Sequence, residues 1–215
     1  MTRLLHIQAS PRGAASFSLS VAEAFLAAFR EAQPDAEVET LDLWATELPR
    51  LDGPFLEAKE RWMAGRTMTG EEAAAWAPVE ALARQFREAD GYLFSVPMWS
   101  YGVPYPLKHY LDAIAQPGLL FRYDPYSGHR PLLRDRPACL VCARGDRYGA
   151  GSPTEGLDFQ APWLEAMLAL VGIETTRAVL VEPTEGEPEA VAEVLRHAKE
   201  EAARWGGAFY QPMGE

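Results

Sequence analysis

Leu4-Leu5-His6-Ile7-Gln8-Ala9-Ser10-Pro11-Arg12-Gly13-Ala14-Ala15-Ser16-Phe17-Ser18-Leu19-Ser20 is the stretch on which the fold turns. Leu4 to Ala9 is a short apolar run, the length of a buried strand. Leu19, Ala22, Phe25, Leu26 and Phe29 then follow the i, i+3, i+4 spacing of a helix with one apolar face. Between the two lies a turn of small and hydroxyl residues that lets the backbone bend tightly and come close to a ligand. Ser16 or Ser18 can cap the helix, and the free N–H groups of its first turn would then face the loop mouth. A phosphate placed there would meet N–H groups, serine hydroxyls and the positive end of the helix dipole. Read alone, the same loop is also a plain surface turn with an N-cap.

The pattern recurs along the chain. Further strand candidates are Glu37 to Leu43, Gly91 to Pro97, Ala138 to Ala143 and Glu174 to Val181. The second alternates apolar and polar residues, as an edge strand does, and the others read as largely apolar. Helical spacing covers Val79 to Phe86, Leu107 to Ile114, Leu164 to Val171 (with Gly172 placed to end it) and Pro188 to Trp205. Strands alternating with helices predict an α/β chain: five parallel strands, doubly wound, with ligands beyond their carboxyl ends. Two intervals resist this scheme. Trp44 to Gly70 shows helical character only around Phe55 to Met63, and Gln116 to Arg136 reads as a long loop, a kind that is often functional. The 215 residues suit one domain spanning 1–215.

The carboxyl ends of the third and fourth strands carry the other candidate residues. Pro97-Met98-Trp99-Ser100-Tyr101-Gly102 puts two large aromatics at a strand end. Such rings cover something flat, or pack in the core or under a second chain. Ala143-Arg144-Gly145-Asp146 offers close backbone approach at Gly145 and charge at Arg144; a solvated turn with a salt-bridged arginine is the alternative.

Composition narrows the function classes. A net charge of −11 argues against nucleic-acid and anionic-membrane partners, which need a concentrated basic face. Leu4 to Ile7 is too short for a signal core or a membrane span, and no later segment reaches ~20 uninterrupted apolar residues, so a cytoplasmic protein is expected. The first loop lacks the Gly-Lys-Ser/Thr ending of a nucleotide-triphosphate loop and the spaced glycines of a dinucleotide fingerprint. It holds no cysteine, and no acidic cluster ends the first strand. Cys139 and Cys142 form a C-x-x-C within one strand, where residues three apart face opposite sides; they are expected to be inert core residues. The four histidines show no metal spacing, so no metal is expected, and His6 reads as a core histidine. Ser100 lacks the G-x-S-x-G surroundings of a serine hydrolase.

Taken together, Ser10-Pro11-Arg12 with Ser16-x-Ser18, Pro97-Met98-Trp99-Ser100-Tyr101, Leu107-Lys108 with Asp112, Gly118-x-x-Phe121-x-Tyr123 and Arg144-Gly145 resemble the FMN-dependent NADH-azoreductase family over most of the chain. That family is a group of flavodoxin-like flavin and quinone oxidoreductases. The resemblance implies a flavodoxin-like doubly wound five-stranded parallel sheet with helices on both faces. It implies FMN as cofactor and NADH or NADPH as electron donor, in a ping-pong cycle that reduces a quinone or azo compound. Ser10, Ser16, Phe17 and Ser18 would hold the FMN phosphate. Pro97, Met98, Trp99, Ser100 and Tyr101 would lie along the ring system, and Ala143, Arg144, Gly145 and Asp146 along its pyrimidine edge. Arg144 and Gly145 would stabilise charge there, with no side chain acting as nucleophile. Phe121 and Tyr123 would shape a substrate pocket completed by the second subunit of a homodimer. Two departures stand out: the family usually has Tyr-Asn where this chain has Trp99-Ser100, and a second glycine where it has Asp146. A non-catalytic electron carrier on the same fold is the competing reading.

Overall fold

The computed structural model describes residues 2–126 and 128–211. Five strands, β1 (Arg3–Gln8), β2 (Glu37–Asp42), β3 (Gly91–Pro97), β6 (Ala138–Ala143) and β7 (Thr176–Val181), form one sheet in the order β2-β1-β3-β6-β7, every pair parallel. The expected architecture is therefore present, with boundaries shifted by no more than two residues. β2, whose sequence alternates, is an edge strand.

Parallel strands cannot be joined by tight hairpins, so helices cross over and cover both faces. On one face α1 (Phe17–Ala32) and α6 (Pro188–Gly207) enclose Leu4, Leu93, Cys139, Val141 and Val179. On the other, α2 (Gly53–Met63), α3 (Gly70–Glu88), α4 (Tyr105–Ile114) and α5 (Ala161–Val171) enclose Leu5, Ile7, Phe94, Val96, Leu140 and Cys142. Cys139 and Cys142 thus lie in separate cores on opposite sides of the sheet. Burial pushes both thiols up, Cys142 to about 12. Gly172 closes α5 at φ 104, a left-handed conformation that favours glycine. No helix of the described residues is long and apolar enough to cross a membrane.

The two resistant intervals have definite structures. Helix α2 fills the first, and α3 begins at Gly70, nine residues before the apolar spacing is evident. A capping box sets that start: Thr69 Oγ1 accepts from the Glu72 N–H at 3.3 Å and Glu72 Oε2 accepts from the Thr69 N–H at 2.6 Å. The second interval was expected to be a long loop, but residues 121–124 and 128–131 pair as two antiparallel strands. Its strands are β4 (Phe121–Asp124) and β5 (Gly128–Pro131), and Phe121 pairs with Pro131. Three prolines and a mixed pattern hid these four-residue strands, whose apolar side faces only a small area.

His6 sits inside β1, 2 % exposed, with Nε2 2.5 Å from Ser95 Oγ. Burial, reinforced by the charge of Arg30, lowers its pKa to about 4. The unfolded ring takes a proton near pH 6.5 and the folded ring only near pH 4. Between those values the unfolded state binds more protons, so stability falls as the pH drops through this window, by up to about 3 kcal/mol, and this ring has no effect above it. Urea denaturation of wild type and His6→Gln at pH 4.5 and pH 7.5 tests this. The wild type should lose more stability between the two pH values, and equal losses would exclude the ring as the cause.

Candidate functional site

The winding direction changes between β1 and β3, so their carboxyl ends and that of β6 open into one crevice. At its β1 side the chain makes a short 3₁₀ turn, Gly13–Ala15, before Ser16 caps α1 by accepting the Leu19 N–H at 3.3 Å. The cap is Ser16; Ser18 lies inside the first helical turn, its hydroxyl 3.2 Å from that of Ser16. Ser10, Ser16 and Ser18 are all buried. The Phe17 and Ser18 N–H groups donate to no acceptor among the described residues. The first turn of α1 also carries no acidic residue. Free donors at a positive helix end, ringed by buried hydroxyls, suit a doubly charged oxyanion such as a phosphate monoester.

At the end of β3, Pro97 is still paired to Ala143, and the Met98 N–H donates to the Ala143 carbonyl at 2.7 Å. Trp99 and Gly102 then exchange hydrogen bonds at 3.0 and 2.9 Å around a two-residue turn. Its central residues, Ser100 (φ 47) and Tyr101 (φ 68), both have left-handed backbones. This is the geometry of a type I′ turn, for which Asn-Gly is preferred; two side-chain-bearing residues there hold strain, a feature that clusters at ligand clamps. The Met98 and Trp99 N–H groups are used within the chain. Those of Ser100 and Tyr101 have no acceptor among the described residues and remain to meet a ligand.

Trp99 is 40 % exposed, neither core nor free. Its ring centroid lies 5.5 Å from Trp44 and 6.4 Å from Tyr105, and Trp44 Nε1 donates to the Ala9 carbonyl at 3.1 Å. An aromatic wall therefore links the β1 loop to the β3 turn. Sequence reasoning missed Trp44 and Tyr105. Yet Trp44 directly follows the second strand, where the carboxyl-end rule points, and Tyr105 opens the helix after the third. Trp99, Ser100, Tyr105, Leu51, Lys108 and Asp112 border a cavity of about 560 Å³.

The β6 turn corrects one expectation. Arg144 is expected to stabilise charge on a ligand, or alternatively to form a salt bridge in a solvated turn; its side chain is salt-bridged but buried, and so largely committed. Nη1 lies 2.8 Å from Asp158 Oδ2 and 3.3 Å from Glu182 Oε2, and Nε donates to Gln160 Oε1 at 3.2 Å. A guanidinium cannot be desolvated alone, and these carboxylates neutralise it. Only Nη2 has no partner among the described residues. The turn thus offers the free N–H groups of Gly145 and Asp146 and that one nitrogen. A Cβ on Gly145 would stand 3.1 Å from the Glu185 carboxyl group, so the close approach there is occupied by the chain itself. Tyr101 reaches across to Tyr148, ring centroids 6.2 Å apart, which joins the β3 and β6 turns.

The structure does not bring Phe121 and Tyr123 to the Trp99 cavity. Phe121 is buried at the start of β4 and Tyr123 is exposed on the same strand, each packed on His129 at 5.2 and 5.3 Å. Within one chain they form no substrate wall there.

Comparisons with known proteins agree on the fold. A family model described as flavodoxin-like fold matches residues 2–205. An FMN-dependent NADH:quinone oxidoreductase of Desulfotalea psychrophila is 42 % identical over 202 residues, covering 94 % of this chain and 95 % of the relative. A protein of the same description from Pseudomonas fluorescens is 40 % identical over 206 residues, covering 95 % of each. Among solved structures, an azoreductase from Bacillus anthracis is 31 % identical with a TM-score of 0.89, covering 97 % of this chain and all of that one. An FMN-dependent NADH-azoreductase of the same organism, solved in complex with FMN, is 26 % identical with a TM-score of 0.88, covering 97 % and 99 %. The chain belongs to the flavodoxin-like fold family.

Proposed function

We propose that this protein is an FMN-dependent oxidoreductase that passes two electrons from NADH or NADPH to quinones or azo compounds. The observation that carries the proposal is the phosphate cradle: unpartnered Phe17 and Ser18 N–H groups beside the buried hydroxyls of Ser10, Ser16 and Ser18, within one crevice with an exposed aromatic wall. Relatives near 40 % identity named for FMN, NADH and quinone support it. When bound, FMN supplies the two-electron redox chemistry.

The chain's own residues bind, orient and shield. The α1 cradle would hold the phosphate. The Trp99–Tyr101 turn would lie along the ring system and present the Ser100 and Tyr101 N–H groups. The Gly145 and Asp146 N–H groups would stabilise negative charge at its pyrimidine edge. With one exposed face for both, donor and acceptor would bind by turns in a ping-pong cycle. Asp146 makes that edge more acidic than a glycine would, and so disfavours reduction. In a homodimer, Phe121 and Tyr123, which stand apart from their own chain's cavity, would complete that of a second copy.

Two outcomes are expected. The purified protein is yellow and loses its visible absorbance within seconds of anaerobic NADH addition. A colourless protein that ignores added FMN overturns the reading, and a yellow one inert to NADH and NADPH points to the electron carrier. Secondly, the double variant Ser16→Ala, Ser18→Ala retains substoichiometric FMN while its far-ultraviolet circular dichroism is unchanged; full flavin stoichiometry would refute the cradle.

A further inference from the structure

The three residues before α5 each hold a different part of the crevice. The Phe159 N–H donates to the Tyr101 carbonyl at 3.0 Å, which ties this segment to the strained β3 turn. Gln160 is fully buried and uses both ends of its amide. Its Oε1 accepts from Arg144 Nε at 3.2 Å, and its Nε2 donates to the Val96 carbonyl at 3.0 Å. The orientation is fixed by chemistry, since a guanidinium Nε only donates and a carbonyl only accepts. Asp158 Oδ2 meets Arg144 Nη1 at 2.8 Å, while its Oδ1 accepts the Gln160 and Ala161 N–H groups at 3.0 and 3.2 Å and so anchors the start of α5. Thr184 donates its N–H and hydroxyl to the Arg144 carbonyl, each at 2.8 Å, which adds the loop after β7.

We propose that Gln160 is a positioning residue. With Asp158 and Phe159 it clasps Val96 and the β3 turn (98–102) to the Arg144 side chain of the β6 turn (144–146), and so fixes the width of the slot that opens beyond the direct Met98–Ala143 bond. The proposal rests on the flavin reading, since that slot would hold the two edges of the ring system. An apolar side chain of equal volume in its place would leave the buried Val96 carbonyl and Arg144 Nε without a partner, and would remove the two bonds that admit one spacing only. Misplacement of a bound group by about 1 Å is enough to weaken binding and catalysis substantially.

The test uses the apoprotein and the FMN-loaded protein of wild type, Gln160→Met and Asp158→Asn. Gln160→Met keeps the volume and removes both bonds. It should raise the FMN dissociation constant about tenfold, equivalent to ~1.4 kcal/mol, shift the flavin midpoint potential and speed amide exchange of Phe159 in the apoprotein. Asp158→Asn keeps the helix cap but removes a negative charge beside Arg144, and should move the midpoint potential upward. An unchanged dissociation constant, potential and Phe159 exchange in Gln160→Met overturns the clasp. Should Gln160→Met not fold, an unchanged affinity and potential in Asp158→Asn overturns it instead. If wild type takes up no FMN the flavin reading fails, and Phe159 exchange in the apoprotein still decides whether Gln160 holds the two turns together.

Discussion

Parallel pairing of β1 with both β2 and β3 is the constraint from which the rest of the molecule follows. A strand paired on both sides and covered on both faces is largely apolar, and apart from the His6–Ser95 pair the polar groups of β1 and β3 are displaced to the strand ends. The carboxyl ends gather loops whose N–H groups have no ladder to join. Crossover helices begin there, and their positive ends add to the same crevice. The N–H groups at the start of α1 and in the β3 and β6 turns that have no partner among the described residues are thus consequences of topology.

The charged groups obey a second constraint. Arg144 lies at the end of a fully buried strand, where a lone guanidinium would be very costly. Asp158 and Gln160 from the segment before α5 and Glu182 from the end of β7 meet that cost. A buried ion pair adds little stability over apolar packing, but removing one partner leaves an uncompensated charge. The carboxyl-end loops are thereby made interdependent: a change in any one is felt by the others through a single side chain.

The doubly wound parallel sheet was legible because it rests on local signals. Apolar runs mark the strands, the lone alternating run marks an edge, and the serines narrow the α1 cap to Ser16 or Ser18, of which Ser16 is the cap. What was not legible depends on distance. The Trp44–Trp99–Tyr105 wall joins residues far apart in sequence, and no spacing reveals it. The commitment of Arg144 to Asp158 and Glu182 is equally non-local. The paired strands at 121–124 and 128–131 were hidden because four-residue strands carry too few residues to show a period. The capping box at Thr69 is different: Thr69-Gly70-Glu71-Glu72 states it openly, and only the weak apolar spacing that follows obscured where α3 begins.

The placement of the two cysteines bears on tolerance of the chemistry proposed for the crevice. Quinones are electrophiles that arylate thiolates, and oxidants attack the same form. Cys139 and Cys142 are sealed in separate cores with their thiols held protonated far above neutral pH. Neither can reach the other across the sheet, so no internal disulfide can form as the surroundings become oxidising. The folded chain therefore carries its redox load without a reactive thiol of its own, and thiol reagents modify it only as fast as its cores open.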